Sequence, residues 1–196
     1  MHWTTPFGAE AALIAGVCWI VLWSHQRLAH GTTQVNEMQM ALGFTWMDSG
    51  KLFVLPFMLL TVTIVGLHPS RRNLGRPGKS SLFVMAALVW LVVATAIEFW
   101  GFPPGSYDLT FEEEVRPVLE DGWWLQALGS LFLTLAFVPF GIHLVREKVL
   151  PTWMVPVVIL GSAATVFLTP SFFVPAVAWL LLGLTLLRHR RRTIQP

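Results

Sequence analysis

Residues 80–100 read SSLFVMAALVWLVVATAIEFW, an apolar run with one ionisable side chain, Glu98, near its end. As a helix rising ~1.5 Å per residue, the run is about 30 Å long, enough to cross the hydrocarbon core of a bilayer. Residues 102–121 follow as an acidic loop, with Asp108, Glu112, Glu113, Glu114, Glu120 and Asp121 against one base, Arg116. The pair Trp123 and Trp124 then opens the next apolar run. Indoles settle at membrane–water interfaces. The stretch therefore reads as an outward-running membrane helix, an outer acidic turn and the aromatic anchor of the following helix.

The composition of the whole chain agrees. Of 196 residues, 55% are hydrophobic and only 12% charged, with a mean hydropathy of +0.63, whereas soluble domains carry about 25% charged residues. The sequence specifies an all-α integral membrane protein, a single domain built as a bundle of about six transmembrane helices with short loops. Spans are predicted at residues 6–25, 51–67, 81–101, 122–145, 151–168 and 171–187. An interfacial segment is predicted over 31–47, where polar and apolar side chains mix. Residues 1–7 lack a basic leader, and no small-residue cleavage site follows, so the first span is expected to stay in the protein.

Charge sets the orientation. Arg71, Arg72, Arg76 and Lys79 lie in a turn broken by Pro69, Gly75, Pro77 and Gly78, and clustered basic residues mark the cytoplasmic side. Arg146, Lys148 and the tail Arg188, Arg190, Arg191 and Arg192 fall on that side, while Arg27, Lys51 and Arg116 fall on the other. Both the N and the C terminus are accordingly placed in the cytoplasm, in a cell membrane and specifically the plasma membrane of a prokaryote. Arg71, Arg72, Arg76, Lys79, Arg190 and Arg191 are candidates for holding anionic lipid headgroups, at ~1 kcal/mol per basic residue near a charged surface. A net charge of +2 placed this way serves orientation and does not point to nucleic acid.

Local features predict how the helices meet. Gly8, Ala12 and Gly16 recur every fourth residue, a stripe that lets a neighbouring helix approach closely. Pro56 removes a backbone donor inside the second span, so a kink or a local polar partner is expected there. Pro151-Thr152-Trp153-Met154-Val155-Pro156 is echoed by Pro170-Ser171-Phe172-Phe173-Val174-Pro175. The echo reads either as an inverted repeat with broken helices or, more simply, as two helices opened by proline. The lone Cys18 is expected to be a small core side chain.

Glu98 leads the candidate site residues, because a carboxylate within a span is expensive and turns toward protein or a water-filled cavity. Its helical face includes Thr95, Ala94, Leu91 and Ala87. Together with Thr95, Trp100, Trp46, His25 and Asp48 it forms the candidate ligand-binding or proton-responsive set. No local metal motif is present; an outer site drawing on His25, His30, Glu37, Met38, Met40 and Asp48 would require assembly in space. No cofactor is expected, the alternative being a b-type haem between His68 and His143. Trp19, Trp90 and Trp179 fall deep in spans, where each indole N–H requires an acceptor or lines an apolar cavity.

There is no phosphate-binding glycine loop, no serine elbow and no HExxH pair. The expected function is that of a non-enzymatic binding or accessory subunit holding a lipid, another apolar ligand or a partner membrane helix. The expected partners are membrane lipids, with a partner membrane protein or a second copy of the chain beside them. A second reading is a small transporter or permease in which Glu98 responds to a proton or cation. A third is a membrane-embedded lipid-modifying enzyme.

Overall fold

The computed structural model describes residues 7–31, 46–67, 79–100, 112–165 and 173–194. These residues form seven helices and no strand: α1 Gly8–Gly31, α2 Trp46–Leu52, α3 Val54–Gly66, α4 Lys79–Phe99, α5 Glu112–Arg146, α6 Met154–Ala164 and α7 Phe173–Ile194. Four segments, Gly8–His25, Lys79–Phe99, Gly122–Arg146 and Phe173–Arg190, are long and apolar enough to cross a membrane; α3 and α6 are shorter. The fold is the all-α membrane bundle that the composition calls for.

Six of the helices close into a ring in the order α1, α3, α4, α5, α6, α7 and back to α1, with α2 laid against α1 and α4. Neighbours run antiparallel. Trp19 on α1 packs against Phe53, just before α3, and edge-on against Phe57 near its start, while Gly8 meets Gly66 at its end. Gly122 on α5 meets Glu98 on α4, and Gly129 meets Trp90. The Ser130 hydroxyl on α5 donates to the Ser162 carbonyl on α6 at 2.6 Å, and Gly161 on α6 meets Ala178 on α7.

Lipid gives helices no hydrophobic reason to associate, so close backbone approach has to supply the attraction. Glycines provide it reciprocally between α1 and α7. A Cβ at Gly16 would lie 2.7 Å from Leu180 Cγ, and one at Gly183 would lie 2.7 Å from Leu13 Cγ and 2.9 Å from the Ala9 carbonyl. The predicted small-residue stripe thus serves two neighbours, Gly8 facing α3 and Gly16 facing α7, with Ala12 fully buried between them. Inside the ring, Leu60, Ile64, Leu88, Leu133, Phe140, Trp179 and Leu182 are each no more than 1% exposed. The cavity among Ile64, Phe137, Phe140, Leu144, Val158 and Leu182 has a volume of only 10 Å³, at the lower limit for a single water.

Each proline acts where its chemistry dictates. Pro56 lacks the N–H that would bond Leu52, and its ring crowds that carbonyl; α2 ends at Leu52 and α3 starts at Val54, so the expected kink is a break. Pro156 and Pro175 each occupy the third position of a helix, where an N–H would have no partner within the helix. Both copies of the proline motif therefore open helices.

Several boundaries differ from the expected ones: α1 runs on to Gly31 and α7 to Ile194, beyond the predicted ends at 25 and 187, and two further segments depart more. Helix α5 begins at Glu112, ten residues before the predicted span, because glutamates in a first turn offset the positive end of the helix dipole. At about 52 Å it outreaches a bilayer core. Residues 32–45 of the predicted interfacial segment lie outside the described residues, and the short helix found nearby is α2.

Helix α5 ends in a paired reversal. The Lys148 N–H donates to the Val145 carbonyl and the Val149 N–H to the Leu144 carbonyl, both at 2.9 Å. Val149 and Leu144 are buried. Glycine usually fills the left-handed position of such a cap, but the chain has Lys148 there, with φ 57°.

The described charges divide between the ends of the bundle. One end, termed the basic end, carries Glu10, Lys79, Arg146, Glu147, Lys148, Arg188 and Arg190; the other carries His25, Asp48, Lys51 and Glu98.

Candidate functional site

Glu98 sits in the last turn of α4 and is 9% exposed. Gly122 on α5 permits this: a Cβ there would lie 2.5 Å from Glu98 Cβ and 2.8 Å from its Cα. One turn further along α5, Gln126 donates its side-chain amide to Glu98 Oε2. The carboxylate thus faces protein, as an acid within a membrane helix should. Thr95, a turn earlier on α4, is fully buried, and its hydroxyl has no hydrogen-bond partner among the described residues.

Other members of the predicted set are joined through α2. Asp48 accepts from Lys51 Nζ at 3.2 Å, with both side chains largely buried, and the Asp48 carboxylate acts electrostatically on His25 of α1. Trp100 Nε1 donates to the Lys51 carbonyl at 3.0 Å, while Phe99 packs on Gly50. Trp46 opens α2. Helix α2 therefore ties α1 to the end of α4, bringing His25, Asp48 and Trp100 into one region, while Glu98 turns to α5. Sequence reasoning missed Gln126 and Gly122. Their four-residue spacing, one polar and one small residue on a single face of an otherwise apolar span, was the available signal.

Among the basic candidates, Lys79 is exposed at the start of α4, and Arg190 is committed to Glu10 at 2.9 Å between α7 and α1. Arg71, Arg72 and Arg76 lie outside the described residues, as does His68; Arg191 belongs to α7. His143 is half-buried in the last turn of α5. Among the described residues, no three of His, Cys, Asp and Glu converge as metal ligands would.

An open groove lies on the outside of the ring. Between α4 and α5, Phe83, Ala86, Ala87, Trp90, Phe132, Leu135, Ala136 and Pro139 line a groove of 460 Å³. Small residues create it, with Ala86 and Ala87 on one wall and Ala136 on the other. Aromatic residues bound it, Trp90 meeting Phe132 edge-on at 6.4 Å. The Trp90 indole N–H is already satisfied by the Leu125 carbonyl at 2.9 Å, so the ring presents an apolar face. Pro139 has no N–H for the Leu135 carbonyl four residues earlier, which removes one backbone bond from this wall. Phe83, Phe132 and Leu135 are 66%, 47% and 59% exposed, and the groove opens sideways, toward the region that lipid would occupy.

Fold and composition together define a multi-pass helical membrane protein. Comparison with protein families, curated proteins and solved structures gave no match.

Proposed function

We propose that the protein is a non-enzymatic membrane protein that holds a lipid chain or a similar apolar ligand in the lateral groove between α4 and α5. The groove carries this reading: its 460 Å³ lies within the ~300–1,000 Å³ typical of ligand pockets. Its lining is apolar, and it opens sideways rather than toward an aqueous end. Among the described residues, the closely packed side chains inside the ring favour holding a ligand over moving one through the bundle. The protein acts in a cell membrane, the plasma membrane of a prokaryote, with its basic end in the cytoplasm. It serves there as a binding or accessory subunit.

Native mass spectrometry of protein gently extracted from its own membrane tests the proposal. The wild type is expected to retain a lipid-sized adduct, and Ala86→Trp, which fills the exposed wall of the groove without entering the core, is expected to lose it. A bare wild-type protein, or an adduct unchanged in Ala86→Trp, would overturn the reading.

A further inference from the structure

We infer that the groove continues into a headgroup site for an anionic phospholipid at the basic end, with Lys79 and Arg146 as its charged ligands; this rests on the groove holding a lipid chain. Helical register brings these residues to its mouth. On α4, Lys79, Phe83, Ala86 and Trp90 follow one another at spacings of four, three and four, which place them on one face. On α5, Phe132, Ala136, Pro139, His143 and Arg146 follow the same pattern. Trp90 and Phe132 face each other across the groove. About three turns, or roughly 16 Å, from that pair toward the basic end, α4 reaches Lys79 and α5 reaches His143, because the helices are antiparallel. Arg146 lies one turn beyond His143.

The depth suits a lipid. A chain lying from the mouth to Trp90 and Phe132 spans about half of a ~30 Å hydrocarbon core, which is one leaflet. Charge complementarity selects the headgroup. Lys79 and Arg146 are both exposed, and Lys148 follows in the turn that closes α5. Glu147, also exposed, is the one acid among the described residues of this mouth, leaving an excess of positive charge. Of the basic side chains on α7 at this end, Arg190 is paired with Glu10, and Arg188 lies on a helix that does not border the groove. Lys148 is a further exposed basic residue two positions after Arg146, at a left-handed backbone position, φ 57°, that suits glycine better.

The test uses purified full-length protein equilibrated with vesicles of equimolar phosphatidylglycerol and phosphatidylcholine carrying identical chains, and reads the retained lipid by native mass spectrometry. Wild type is expected to retain the anionic lipid preferentially. Neutralising Lys79 or Arg146 with Gln is expected to lower that preference about fivefold each, the equivalent of the interaction of one basic residue with an anionic surface. The charge-conserving pair Lys79→Arg with Arg146→Lys should restore the preference, separating charge from packing. Lys148→Gly is expected to lower the preference while raising the thermal midpoint. Equal retention of the two lipids by wild type, or an unchanged preference in the Lys79→Gln/Arg146→Gln variant, would overturn the headgroup site while leaving the groove. Retention of neither lipid by wild type would overturn both.

Discussion

Gln126 donates its side-chain amide to the Glu98 carboxylate across the α4–α5 contact, one turn along α5 from Gly122, which lies against the Glu98 backbone. The glycine and the glutamine act together, one by allowing the approach and the other by satisfying the oxygen. Their partner is the only carboxylate in the described part of α4, and it is kept from lipid by the same two residues.

Gly122→Ala tests the approach. Its new Cβ would have to displace backbone and Cβ atoms of Glu98 rather than the flexible end of a side chain, and such overpacking costs about 1–3 kcal/mol. The thermal midpoint in detergent is expected to fall. Glu98→Gln, which keeps shape and a hydrogen bond to Gln126, is expected to change stability by less than about 1 kcal/mol. A midpoint unchanged in Gly122→Ala would show that α4 and α5 are not in this contact.

The Asp48–Lys51 pair makes a second test. Both groups are largely buried, so removing one partner strands the other, at about 3–5 kcal/mol for a fully buried pair and less at this partial exposure. Lys51→Met should therefore destabilise more than Lys51→Met combined with Asp48→Leu, which removes both charges. Equal losses in the single and the double variant would place the pair in water.

Orientation is checked by labelling. In a background in which Cys18 is replaced by Ala, Arg72→Cys and Glu113→Cys are expected to react with a membrane-impermeant thiol reagent from opposite sides of the membrane, Arg72→Cys from the cytoplasm. Labelling of both from one side would reverse the assignment of the ends.

The parts of the molecule governed by local chemistry were legible in the sequence. The break before Pro56 follows from a missing N–H, the starts of α6 and α7 from their prolines, and the inward turn of Glu98 from the cost of a carboxylate in lipid. The start of α5 was not legible in the same way, because Glu112, Glu113 and Glu114 suit a solvated turn and the first turn of a helix equally well. The groove was hidden for another reason. Ala86 and Ala136 are unremarkable on their own helices and make a hollow only in the register that sets Trp90 opposite Phe132. Gln126 likewise gains its role from an alignment between two helices that neither segment encodes alone.

The ring also fixes an order of assembly. Among the described helices α1 is synthesised before the others, yet one of its two neighbours in the ring, α7, is synthesised after them, and the Gly16 and Gly183 contacts form only between these two. Until α7 emerges, one flank of α1 has lipid where it will later have protein. Closure of the ring thus waits for α7, so a chain truncated before it would enter the bilayer as an open arc with the Gly16 face of α1 uncovered.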